Sequence, residues 1–230
     1  MGNSKQILKR LKFLSNPKIV EGMARFGINP QKAYGISIPV LRKIAKEIGK
    51  DHKLALELWQ SGIHEARILA SMIDEPEKVI EKQMNKWVSG FDSWDICDQC
   101  CLNLFDKVSF VDKKIKSYAS KKEEFIKRTA FALIACLAFH NKELKDEDFN
   151  KYFVIIEKAS IDERNYVRKA VNWALRQIGK RNKKLNKKAI KVAKDILKTY
   201  KGNKTARWIA NDALRELESK KIQKRLALSL

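Results

Sequence analysis

Apolar residues recur three and four positions apart along most of the chain, in stretches of about ten to twenty residues, which is the spacing of one helix face. The stretches ILKRLKFL from Ile7, PVLRKIAKEI from Pro39, LALELW from Leu54, EARILASMI from Glu65 and KVIEKQMNKWV from Lys78 carry it through the first half. No run alternates apolar and polar residues convincingly, so the pattern predicts an all-α chain. Prolines punctuate it at Asn16-Pro17, Asn29-Pro30 and Glu75-Pro76, where helices or turns should start. There Asn16 is placed to cap a helix and Pro17 to fill its first turn.

A second, longer period lies over the first. EEFIKRTAFALIACLAF from Glu123 aligns with ERNYVRKAVNWALRQIG from Glu163, matching Phe125 to Tyr166, Ile126 to Val167 and Lys127-Arg128 to Arg168-Lys169. KTARWIANDALREL from Lys204 brings Arg207 near the same place, and IHEARILASMI from Ile63 brings Arg67. A recurrence of roughly 40 residues is the length of a helical-pair repeat. Stacked pairs form a curved α-solenoid whose inner helices line a concave groove. The basic residue near the start of each repeated helix would make that groove basic and suited to a duplex backbone. The local alternative is that these cations cap neighbouring turns or pair with carboxylates.

Composition sharpens this picture. With 230 residues and 44% hydrophobic content, one repeat domain spanning 1–230 can bury a continuous core. Lys and Arg number 49 against 27 Asp and Glu, a net charge of +22 that calls for a polyanionic partner. Between Arg176 and Lys204 the one acid is Asp195, while Leu185, Ala189, Val192, Ala193, Ile196 and Tyr200 keep helical spacing, so the lysines there should form the solvated face. The alternative is a lysine-rich surface serving solubility alone. Trp and Phe, the large aromatics an interfacial helix prefers, are missing from that apolar face, which argues against a membrane surface. No run of about 18 apolar residues occurs, and no apolar leader precedes the four cysteines, so we expect a cytoplasmic, reducing setting.

Chemistry concentrates in DSWDICDQCCLN, residues 92–103. Cys97, Cys100 and Cys101 lack the further pair or spaced histidine that zinc needs, since His52, His64 and His140 are scattered, and no metal is expected. A redox CxxC would need a strand-to-helix setting. Trp94, Cys97, Cys101, Leu104 and Phe105 instead define one apolar helical face, so the thiols read as core. Asp98 follows Trp94 by one turn and shares its side of the helix. It is either a functional carboxylate or an ordinary one satisfied by an amide or an arginine. Ser93 or Asp92 is placed to cap the helix start.

The stretches GISIPVLRKIAKE (35–47), WDICD (94–98), FIKRTAFAL (125–133) and YVRKAVNWALRQIGKRN (166–182) resemble, in order, the AlkD-type DNA alkylation repair glycosylases, a family of HEAT-like helical repeats. The resemblance spans approximately residues 20–215. It implies that the tryptophan and aspartate of a W-x-x-x-D motif, the arginine of an R-[TA]-A motif and the tryptophan of a K-A-x-x-W motif line a DNA-binding cleft. These fall on Trp94, Asp98, Arg128 and Trp173, with Lys127, Arg168, Lys169, Arg176 and Arg207 as further DNA-binding candidates. The implied reaction is cofactor-free hydrolysis of the glycosidic bond of a cationic alkylated purine in duplex DNA, by a monomer and without a base-flipping pocket. Some branches of the superfamily keep the fold and bind branched or distorted DNA without catalysis. The segment ARWIANDALRELESKKIQKRL does not match the best-known members, which suggests a distinct branch.

Overall fold

The computed structural model describes residues 3–228. Its secondary structure is helical, with no strand among the described residues, and the chain divides into two compact units, Met1–Val111 and Asp112–Leu230.

Unit 1 holds α1 (Ser4–Phe13), α2 (Pro17–Met23), α3 (Ile38–Ile48), α4 (His52–Gln60), α5 (His64–Ile73), α6 (Glu81–Ser89) and α7 (Trp94–Asn103). Asn16 caps α2 through its side chain and Pro17 occupies the first turn, as the sequence implies. The pattern from Lys78 starts its helix three residues late. Pro76 sets a short 3-10 turn over Pro76–Lys78, and Val79 and Ile80 are extended before α6 begins at Glu81. Helix α5 is the centre of the unit, packing on α3, α4 and α7. Its only strongly acidic position is buried for a reason. Glu65, 1% exposed, accepts hydrogen bonds from the backbone N–H of Tyr34 (2.8 Å), Gly35 (2.6 Å) and Ile36 (3.2 Å), pinning the loop that leads into α3. Gly35 has φ +70°, and a Cβ there would lie 2.5 Å from the Asn16 carbonyl oxygen, so the loop needs glycine. Farther along, Trp59 of α4 stacks on Trp87 of α6 with centroids 4.1 Å apart and planes 3° from parallel.

Unit 2 holds α8, which starts at the boundary (Val111–Ala119), α9 (Glu124–His140), α10 (Asn150–Ala159), α11 (Asn165–Gly179), α12 (Lys183–Thr199), α13 (Lys204–Leu217) and α14 (Lys220–Leu228). Helices α9, α11 and α13 lie side by side in that order, while α10 and α12 pack on each other and on α11. That alternation is what stacked helical pairs produce. The sequence recurrence is visible as a contact, because the matched residues Phe125 and Tyr166 stack with centroids 5.4 Å apart. Every residue of α9 from Arg128 to Ala138 is buried, which explains why TAFALIACLA lacks a polar face. Asn172 ties α11 to α13 by donating to the Ile209 carbonyl at 3.0 Å. At the far end, Gly179 lies against Leu217 and Ala189, where even a Cβ would force its neighbours to shift. On α12, Leu185, Ala189, Ala193 and Ile196 are buried, whereas Lys183, Lys184, Lys187, Lys191, Lys194 and Lys198 are exposed. The lysines form the solvated face, as the pattern implies.

Candidate nucleic-acid interface

In unit 1 the candidate residues sit on one edge of α7. Ile96, Cys97, Cys100 and Cys101 turn inward with no exposure, while Trp94, Asp95 and Asp98 remain half-buried. The thiols are core, and burial raises the Cys100 thiol well above its ordinary range. Ser93 precedes the helix, yet its hydroxyl does not cap it. Its Oγ accepts from the Asn29 N–H at 2.8 Å, and Asp92 receives Arg67 at 2.5 Å, so both are spent on neighbouring segments. The Trp94 indole N–H donates to the Phe26 carbonyl at 2.8 Å, which orients the ring, and Phe26 is itself 72% exposed. One turn of α7 is further anchored by Asp95, whose carboxylate meets His64 Nε2 at 2.8 Å. Asp98 therefore rides on a helix fixed by its cysteine face, by Trp94 and by Asp95.

In unit 2 the cations named from the repeat divide into two groups. Arg128 is 5% exposed and donates to the Tyr166 carbonyl at 2.6 Å. Lys127 pairs with Asp162 at 2.9 Å, and Arg164 grips the same carboxylate at 2.5 Å. Burial pushes the Asp162 carboxyl up, but hydrogen bonds from Arg164 and Lys127 outweigh it and bring it to about 2 from the usual 3.8. Arg176 and Lys180 hold Glu216 at 2.5 and 2.8 Å. Burial raises that carboxyl and the two cations lower it further, leaving it below the ordinary glutamate range. For these cations the local alternative describes their contacts: they lock the helices of the repeat together. Arg67 in unit 1 behaves alike, donating to the Gly90 carbonyl and lying over Trp59.

The second group faces outward. Lys169 and Arg207 are exposed, Trp173 is half-buried, and the Arg168 guanidinium lies 5.2 Å from the Trp208 ring centroid. Trp208 carries a polar-face aromatic that periodicity alone does not flag, since it breaks the apolar register of α13. Trp94 and Asp98 thus belong to unit 1, and Arg128, Trp173, Lys169 and Arg207 to unit 2. Among the described residues, no group of three or more His, Cys, Asp or Glu is arranged to hold a metal ion, and no helix is long and apolar enough to cross a membrane.

This architecture is that of the HEAT-like helical repeats. A solved structure described as "A new family of proteins related to the HEAT-like repeat DNA glycosylases with affinity for branched DNA structures" shares it at TM-score 0.75 and 16% identity, covering 84% of this chain and 83% of that one. The sequence pattern of the family described as "DNA alkylation repair enzyme" matches residues 7–217, and the chain belongs to that family. No curated protein matches it.

Proposed function

We propose that the protein is a monomeric, cytoplasmic DNA glycosylase that hydrolyses the N-glycosidic bond of cationic alkylated purines, such as 7-methylguanine and 3-methyladenine, in duplex DNA. The observation that carries this reading is the pairing of Trp94 and Asp98 on the one edge of α7 that is left part-accessible, in a chain of the DNA alkylation repair family. An alkylated purine already bears positive charge, so it departs with the bonding pair as a neutral base and needs no strong acid. The difficulty is the sugar cation left behind. A fixed carboxylate beside it stabilises the developing charge and orients the water that adds to C1′, whose proton passes to solvent, giving an abasic site and the free purine. Asp98 takes that role. The indole of Trp94, held by Phe26, offers a π-face to the cationic sugar and lesion. No cofactor enters the reaction.

Phosphate contacts fall to the exposed cations Lys169 and Arg207 and to the half-buried Arg168 beside Trp208. Arg128, Lys127 and Arg176 act by fixing the helices that carry these groups: Arg128 is 5% exposed and has little surface to give a phosphate, while Lys127 and Arg176 are held by Asp162 and Glu216. A second reading, in which the fold binds branched DNA without catalysis, draws on the affinity stated for the structural neighbour. The deciding assay is chromatographic purine release from methylated duplex, for the unmodified protein and for Asp98→Asn. The glycosylase reading expects release above the spontaneous rate, falling about 10²- to 10³-fold in the variant. Absence of release, with salt-dependent binding of branched DNA intact, would establish the second reading in its place.

A further inference from the structure

We propose that Trp208 and Arg168 form a stacking platform for an unpaired base, a binding site on unit 2 that directs the protein to DNA carrying a gap, flap or branch. The inference rests on the DNA reading above and names the class of DNA that this surface selects.

Trp208 is 39% exposed although it lies in the first half of a well-packed helix whose neighbours Ile209 and Ala210 are fully buried. A large aromatic left at a surface stands out when its surroundings are polar and charged. The Arg168 guanidinium reaches across from α11 to within 5.2 Å of the ring centroid and is steered there by a hydrogen bond to Asn165 Oδ1 at 3.3 Å. The guanidinium lies over part of one indole face and lends it charge, so the two make a cationic stack, anchored from two helices that Asn172 ties to each other, to which a further planar ring can be added. The first two turns of α11 and α13 supply Arg168, Lys169, Lys204 and Arg207 and contain no acid. Lys169, Lys204 and Arg207 are exposed, while the acids farther along, Asp212 and Glu216, are already taken by Arg215, Arg176 and Lys180. The charge therefore fits phosphates on both sides of the platform.

An aromatic plate ringed by cations is how proteins hold single-stranded nucleic acid, because every base has a π-face and every linkage a phosphate. Within an intact duplex both faces of each base are covered by neighbours, so the platform finds nothing to stack on. At a gap or branch a base is available. The same surface thereby discriminates by structure and not by sequence.

The test compares Trp208→Leu and Trp208→Phe with the unmodified full chain, using fluorescence anisotropy on one labelled duplex, intact or carrying a short single-stranded gap, at fixed salt. The unmodified protein should prefer the gapped DNA. Leucine, which keeps apolar bulk and the fold, should weaken gapped-DNA binding about tenfold and leave the intact duplex unchanged, and phenylalanine should restore most of the loss. Equal affinity of Trp208→Leu and the unmodified protein for gapped DNA would overturn the platform. So would an equal loss on both DNAs, which marks a generic contact. If the unmodified protein binds neither DNA, the DNA reading itself fails and the platform goes with it. A gap preference that survives in a protein releasing no purine separates the two, since the platform then stands and the glycosylase reading falls.

Discussion

Replacing Asp162 by asparagine separates the two tasks assigned to the basic repeat positions. The carboxylate holds Lys127 at 2.9 Å and Arg164 at 2.5 Å, and folding lowers it from 3.8 to about 2. That lowering corresponds to at most about 2.4 kcal/mol, at about 1.36 kcal/mol per pH unit. Arg164 is 34% exposed and Lys127 18%, so solvent screens the pair and about 1–2 kcal/mol is the expected contribution at neutral pH. Because the folded carboxyl titrates below the unfolded one, its contribution is present in full above about pH 5 and is lost as pH falls through 3.8 toward 2. Asp162→Asn should therefore lower Tm by about 3–6 °C at pH 7. The gap to the unmodified protein should shrink to about half by pH 3. Thermal melts at pH 7 measure the first quantity, and urea titrations at pH 7, 5 and 3 the second. A variant as stable as its parent at pH 7, or a gap that widens in acid, would refute the assignment of this ion pair to stability. The same substitution releases Lys127 and Arg164, so duplex binding at low salt should tighten by about two- to fivefold even as the fold weakens.

Two further outcomes follow from the packing. Gly179→Ala places a Cβ 2.7 Å from Leu217 Cδ2 and 2.9 Å from the Ala189 Cβ, where α11, α12 and α13 meet, and should cost about 1–3 kcal/mol in a urea titration; an unchanged midpoint would show that the joint can open. Cys97, Cys100, Cys101 and Cys136 are all fully buried, so a thiol-reactive disulfide reagent should label none in the native protein and all four in denaturant, and fast native labelling of any of them would contradict the core assignment.

The elements whose cause is local were legible in the sequence. The three-and-four spacing placed α3, α4, α5 and α7, and the match of Phe125 to Tyr166 marked equivalent positions of two repeats, whose stacking against each other the alignment alone does not show. The buried cysteines followed from the same wheel. What stayed hidden depends on partners distant along the chain. Nothing near Glu65 reveals that its carboxylate will be claimed by three amides of the loop around Gly35. Ser93 looks like a cap until Asn29 takes its hydroxyl. Arg128 and Lys127 read as groove cations, whereas carbonyl and carboxylate groups brought in by the next repeat occupy them. Trp208 carries no signal in the sequence, because an aromatic off the apolar stripe has no periodic signature.

The Trp59–Trp87 pair gives the molecule an optical property that its packing role does not suggest. Two indoles face to face at 4.1 Å couple their electronic transitions, so unit 1 carries its own band in circular dichroism, while Trp173 and Trp208 lie in unit 2. Melting followed at that band monitors α4 and α6 alone. Set beside the helical signal of the whole chain, it resolves whether the two units come apart together or in sequence without any added label.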